Sequence, residues 1–503
     1  MPPADAPREF PAAYAALRND APPDTEAAIV VGLLALLPPA FAPPLATASG
    51  AVTGTVAPAA AAGTPPTDDY SDQAVRGDIA RQAFGVSGAG IKVGILSDSF
   101  DVLGGAAQDI AEGGLPAGGV TVLEEGPAGS HDEGRAMADL IHRIAPGAQI
   151  MFHTATNGEA DFAAGIAALA AAGCQVIVDD VAYLDEPFFQ DAGAVQTAVA
   201  QAVAQGVSYF TAAGNAGADY VQMGFVPLHL ALSGLPAGAA VQNFGTAAAP
   251  QPWLPVTIPP GGEGLFDLQW NQPLGAAAAS LGFALYDAAG TLVAGATQDQ
   301  VGGNPDQVID YVNAGPGSAF RLVVYANGGI VPPGLFKIIA YGTGSIASPL
   351  AGQGSGSVIG HQMVPGANTV GAMAWSAAPR FGGSDVPESF SSVGSGLYLR
   401  DGAGAPLAQP QSTQKVDFLA PDGSITSTLA PFYGTSAAAA NAAGVAALVL
   451  SADPALTPAQ LTQVLEVTAA PANGPTLATG AGLLQADAAV QMALGMAHAL
   501  PAG

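Results

Sequence analysis

Positive charge is scarce in this chain. Its 503 residues include 12 Lys or Arg against 40 Asp or Glu, a formal net charge of −28. Neutralising phosphates takes clustered cations, so nonspecific nucleic-acid binding is excluded, as is docking on an anionic lipid surface. Cysteine is almost missing too. Cys174 stands alone, which rules out an intrachain disulfide and any multi-cysteine zinc site, and it reads as a small buried thiol. Aromatics are few, at 7%, yet half of all residues are apolar, too many for a disordered chain. The length fits two or three domains with a large core. An acidic surface with 66 Gly and 42 Pro suits a soluble, exported protein.

Residues 1–80 differ in texture from the rest, being rich in Pro and Ala with little periodicity. An apolar run, AAIVVGLLALLPPAFA (27–42), precedes small residues in LATASGA (45–51). Pro38 and Pro39 cut it short for a membrane span. Its pattern is that of a secretory signal core followed by small residues, although Asp24 and Glu26 stand where positive charge is expected. An extracellular or periplasmic location follows from that reading; a propeptide-like segment is the alternative.

From Gly88 onward, apolar β-rich runs alternate with helical patterns. IKVGILS (91–97), QIMFHTA (149–155), QVIV (175–178) and VSYFTAAG (207–214) read as buried strands. DEGRAMADLIHRIAPGA (132–148), FAAGIAALAAAG (162–173) and AVQTAVAQAVAQG (194–206) read as helices between them. This alternation predicts an α/β fold, a doubly wound, mostly parallel sheet. Functional groups of such sheets collect at the carboxyl ends of strands, where Asp98, Asp179, Asp180 and Asn215 fall. Between about 239 and 346 the pattern changes to short alternating strands split by Gly, Asn and Pro, which predicts an inserted antiparallel β-sandwich. Its Trp270 and Tyr286 are assigned to the core by default. The domain plan is therefore 1–80, an N-terminal segment; 81–238, a first α/β half; 239–346, the insertion; and 347–503, a second half. LTPAQLTQVLEVTA (456–469) closes it as an amphipathic helix opened by Thr457 and Pro458.

The sharpest segment is YGTSAAAANAAGVAAL (433–448). A Gly-Thr-Ser turn opens a helix of small residues that can sit deep against a sheet. Ser436 falls at the helix N-terminus, where unpaired amides and the dipole favour developing negative charge. That suits a nucleophilic serine; a plain helix cap at Thr435 or Ser436 is the alternative. The segment resembles the Gly-Thr-Ser-x-Ala-x-Pro motif of the subtilisin-like serine peptidases, the subtilases. Gly434, Thr435, Ser436 and Ala438 match, Ala440 replaces the Pro, and Asn441 stands where a His often follows. KVDFLAPDGSI (415–425), TVGAMA (369–374), FSSVG (390–394) and TAAGNAG (211–217) resemble further elements of the family in the same order. The likeness extends over about 88–235 and 350–495. It implies that Asn215 and the Ser436 amide form an oxyanion hole and that Gly214 contacts substrate.

The general base departs from the family. Where a subtilase has His-Gly-Thr, this chain has Glu133-Gly134-Arg135, with APGA (145–148) fixing the register. A glutamate there resembles the sedolisins, which use Glu and Asp with Ser, but the acid they carry one helical turn later is Met137 here. The expected constellation is thus Ser436 as nucleophile, Glu133 as base and Asp98 hydrogen-bonded to Glu133. Burial and a neighbouring acid raise one member of a carboxylate pair enough to make it a useful base. Other assignments stay open: Glu133 as a helix N-terminal acid, His131 as the base, and Asp98 as a turn cap. Asp179 and Asp180 are expected to contact substrate or extend the carboxylate network, with pairing to Arg135 as the alternative. His142, His153, His229, His361 and His498 lack partner motifs and read as structural or exposed.

The expected activity is acyl transfer to hydrolyse peptide bonds in a polypeptide substrate. An inactive binding scaffold of the same fold is the rival. No cofactor or metal motif is present; the resemblance makes calcium the ion to consider for acidic loops such as GGNPDQ (302–307), though no EF-hand spacing occurs. Substrate preference and oligomeric state are not encoded in these signals.

Overall fold

The computed structural model describes residues 70–326 and 330–499. The apolar run 27–42 and the small-residue stretch 45–51 lie outside them. A seven-stranded sheet forms the centre, built from β1 (Lys92–Ser97), β2 (Thr121–Glu124), β3 (Gln149–Thr154), β4 (Val176–Asp179) and β5 (Ser208–Ala212), then β17 (Asn368–Ala374) and β20 (Phe418–Asp422) after the insertion. The order is β2-β3-β1-β4-β5-β17-β20 and every pairing is parallel. The inner strands are buried on both faces, which explains their continuous apolar runs. The expected doubly wound α/β sheet is present.

Two helices set the central layer. Glu133–Ile144 and Thr435–Ala452 pack on the same side of the sheet, and nearly all of both is buried. The second is long and apolar enough to cross a membrane, but it lies inside the fold. Its alanines allow close approach to β17 and β20.

The insertion is a two-layer sandwich. One layer runs β13 (Asp306–Val312), β10 (Glu263–Trp270), β15 (Leu335–Gly342), β6 (Tyr220–Gly224). The other runs β12 (Leu292–Ala296), β11 (Leu281–Asp287), β14 (Ala319–Ala326), β8 (Ala240–Gln242), β7 (Pro227–Leu228), with β9 (Leu254–Thr257) on β14 and β16 (Ser345–Ile346) on β9. Phe266, Trp270, Phe283 and Phe336 fill the space between them. Trp270 donates its indole N–H to Ala279 O and Tyr286 its hydroxyl to Ser233 O, so both are core residues. Side chains alternate along β15: Phe336, Ile338 and Ala340 enter the sandwich, while Leu335, Ile339 and Tyr341 pack on the α/β body with Ala182, Phe188, Phe189 and Ile359.

Two boundaries differ from those expected, and one further helix closes the last unit. Residues 70–80 belong to the folded body: helices Tyr70–Ala74 and Gly77–Phe84 put Val75 and Ala80 into the main core, and Arg81 binds Asp72 and Ile144 O. The sandwich begins at Tyr220 rather than 239, because YVQMG pairs with β15. Beyond Pro458–Thr468, the helix Ala486–Ala499 also packs on the core. Cys174 is buried beside Met151, and burial pushes its thiol up to about 11.

Candidate active site

The carboxyl ends of β1, β4 and β5 converge on the starts of the two central helices. Asp98 follows β1. Its carboxylate accepts main-chain N–H groups from Ser99, His131 and Glu133, the last two at 2.7 and 2.8 Å. It therefore clamps the turn that opens the Glu133 helix. The expected bond to Glu133 exists, but it is made to the backbone and not to the side chain. Burial raises the Asp98 pKa while the three amides pull it back.

Asp132, the residue before Glu133, adopts a left-handed conformation at φ 57°. This is uncommon for a residue with a side chain. Its carboxylate holds the geometry by accepting from Ser99 Oγ and the amides of Val102 and Leu103. Gly134 allows the helix start to press against the sheet, since a Cβ there would lie 2.3 Å from Phe152 Cε2 and 2.8 Å from Ser99 O. Arg135 pairs with Asp101, Asp109 and Asp132 rather than with Asp179 or Asp180.

So held, the buried Glu133 carboxyl meets the Ser436 hydroxyl and the Asp180 carboxyl. The contacts are looser than ordinary hydrogen bonds: Glu133 Oε1 and Asp180 Oδ1 are buried with no partner at bonding distance. Catalytic contacts commonly tighten only when substrate is bound. Burial, then the charges of Asp180 and Asp98, hold the Glu133 pKa well above the carboxylate range. Burial, then the charges of Asp98 and Asp179, push Asp180 up to about 8, and its other oxygen accepts from Ser97 Oγ at 3.2 Å. Two acids this close and this buried do not both ionise near neutrality, so the pair retains a proton.

Asp179 goes the other way, because neighbours at a strand end face opposite sides of the sheet. It is 1% exposed and does not reach the serine side. It binds His361 Nε2 at 3.1 Å and accepts from Thr211 Oγ1, while Glu186 takes His361 Nδ1 at 2.9 Å. Burial opposes charge on the ring, but the Glu186 and Asp179 carboxylates outweigh it and hold the His361 pKa well above its ordinary value. The expected substrate-side role of Asp179 is therefore corrected to a buried ion pair. No sequence motif marks His361; a lone histidine between distant acids has no local pattern.

Gly434 opens the serine helix at φ 111°, where a Cβ would be strained. Its N–H donates to Asp422 Oδ2 at 2.9 Å. Asn215 Oδ1 accepts both the N–H and the hydroxyl of Thr435, at 3.0 and 3.1 Å. That leaves Nδ2 beside Gly434, near the Ser436 N–H in the unpaired first turn. Gly214 gives its N–H to Thr435 Oγ1 and its carbonyl to Ser392 N–H, so it lines the site with both polar groups satisfied. His131 contributes its main-chain N–H to Asp98. Asn441, at the position of the absent histidine, donates to Pro421 O inside the core.

Ser436, Glu133, Asp180 and Asn215 thus gather at one point, with Asp98 and Gly214 supporting them from behind and beside. Among the described residues, one group of His and acidic side chains converges enough to hold a cation: Glu124, His153 and Asp161, whose ligand atoms lie within 4.8 Å of one another. It sits at the β2–β3 edge, and the 302–307 loop is not part of it.

Comparison with known proteins places this geometry in context. The profile of the subtilase family matches residues 125–483. The chain is similar in structure to the CspB protease of Clostridium perfringens (14% identity, TM-score 0.49, 85% of this chain and 98% of the other). It is also similar to fervidolysin from Fervidobacterium pennivorans, a keratinolytic enzyme related to subtilisin (18%, 0.39, 84% and 45%), and to a lanthipeptide protease (13%, 0.40, 83% and 93%). No curated protein matches the chain. With a profile match over most of its length, the chain belongs to the subtilase family of serine peptidases.

Proposed function

We propose that this chain is an exported serine-type endopeptidase whose general base is a carboxylate. Ser436 is the nucleophile, Glu133 the base, Asp180 the positioning acid beside it, and Asn215 with the Ser436 N–H the oxyanion hole. The observation that carries the reading is the buried Glu133 carboxyl facing the Ser436 hydroxyl and sharing its site with Asp180.

The reaction balances on these groups. Ser436 Oγ attacks the peptide carbonyl carbon as its proton passes to ionised Glu133. The tetrahedral oxygen receives hydrogen bonds from Asn215 Nδ2 and the Ser436 N–H. Glu133 then returns the proton to the departing amine nitrogen, leaving an ester on Ser436. Water, deprotonated by the same carboxylate, hydrolyses the ester. Asp180 acts through Glu133: the two share one proton, and the state with that proton on Asp180 leaves Glu133 ionised as the base. Activity therefore falls on the acid side when the pair takes a second proton, and on the alkaline side when it loses its last.

A fluorophosphonate labelling series from pH 3 to 8, run with peptide hydrolysis, tests this. Wild type and His131→Ala label and turn over; Ser436→Ala does neither; Glu133→Gln loses turnover. Loss of activity in His131→Ala with retention in Glu133→Gln would transfer the role of base to His131. No labelling at any pH would leave a binding scaffold.

A further inference from the structure

A cavity opens beside the oxyanion hole. Its walls include Ala213 and Gly214, which lead into Asn215, and Ala182, two residues past Asp180; Gln362 and Ser392 close the sides, and Tyr341 of β15 contributes from the sandwich. Its free volume is about 10 Å³, room for one water-sized group. A carbonyl held by Asn215 would set the side chain of its own residue toward Ala213 and Gly214, which precede Asn215 in this wall.

Every polar side chain in the wall but one is occupied. Gln362 Nε2 donates to Ala212 O and its Oε1 accepts from Ile359 N–H. Ser392 Oγ accepts from Ala216 N–H, and Ser357 Oγ donates to Gly217 O. The Tyr341 hydroxyl is buried with no partner.

We propose that the inserted sandwich sets the specificity of the peptidase. Tyr341 restricts the cavity, so the chain cleaves after glycine, alanine or serine. This rests on Ser436 being the nucleophile. The ring comes from outside the α/β body: it is one of the β15 side chains that alternation turns away from the sandwich core.

Peptidyl phosphonates that differ only in an alanine or a phenylalanine side chain next to phosphorus test it, read as the rate of labelling of the full chain between pH 3 and 8. In wild type the alanine reagent reacts at least about 100-fold faster, the upper range for a misfitting side chain. Tyr341→Ala raises the phenylalanine rate and narrows the ratio to below about 10-fold. Tyr341→Phe keeps the ring and the ratio, and gives a second readout should Tyr341→Ala not fold. Equal wild-type rates, or preference for phenylalanine, would overturn the proposal and leave the peptidase reading standing. An unchanged phenylalanine rate in folded Tyr341→Ala would remove Tyr341 from the role. Reaction with neither reagent would overturn both readings.

Discussion

The Glu133–Asp180 pair makes a quantitative claim about stability. Both pKa values are raised in the folded chain, so the retained proton favours folding. Its contribution is fully present below the ordinary carboxylate range near pH 4 and is lost as pH climbs through the folded value, about 8 for Asp180. Between those limits the unfolded chain has released the proton and the folded chain has not. Each proton of difference gives a slope of about 1.4 kcal/mol per pH unit, with stability falling as pH rises. The double variant Glu133→Gln/Asp180→Asn has no proton to hold, so its curve lacks that slope. Relative to wild type it gains about 2.7 kcal/mol between pH 5 and pH 7 for each proton retained. Urea unfolding at pH 5, 6 and 7 measures this, with thermal midpoints as a second readout. Parallel wild-type and variant curves would mean that both acids are ionised throughout, and the account of the base would fall.

Other outcomes follow from the same geometry. Asn215→Asp keeps an acceptor for Thr435 and loses the donor, so kcat drops about 10²–10³-fold with little change in the melting temperature; a parallel loss of stability would make Asn215 a cap only. His361→Gln leaves Asp179 and Glu186 without their shared cation and costs about 3–5 kcal/mol. Because the His361 pKa is raised, that gap is widest below about pH 6.5 and narrows as pH rises through the folded value, which melting curves at pH 5.5 and 8.5 resolve. Gly134→Ala drives a methyl against Phe152 and Ser99 O, costing about 1–3 kcal/mol, and lowers turnover by shifting Glu133; unchanged melting and turnover would refute the close-packing argument.

Much of this site is visible in the sequence because it depends on local chemistry. The Gly-Thr-Ser turn, the small-residue helix and the AAGN segment each carry their own backbone logic, and they specify Ser436 and Asn215. The register from APGA places Glu133. The partner of Glu133 was harder to see. Asp98, Asp179 and Asp180 all follow strand ends, and the sequence does not show which way each carboxylate turns. Asp98 is drawn onto the amides of the 131–133 turn, and alternation sends Asp179 toward His361 and Asp180 toward Glu133. The His361 pairing joins positions 182 residues apart, beyond any local pattern. The early start of the sandwich carries no local signal because β6 has five residues, and its strand character comes from β15.

The sandwich joins the α/β body at two adjoining crossings of the chain and rests on it through one face of β15. The chain leaves the α/β body beside Asp219 and comes back at Ile346, whose N–H donates to the Asp219 carboxylate at 3.2 Å. Ser436 lies on one side of this detour in sequence, and Glu133, Asp180 and Asn215 on the other. A module joined at adjoining chain ends is open to exchange without rewiring the reaction chemistry, provided its replacement covers the surface that Leu335, Ile339 and Tyr341 occupy. What such a graft would alter is the appetite of the enzyme, since the module carries the ring that crowds the cleft.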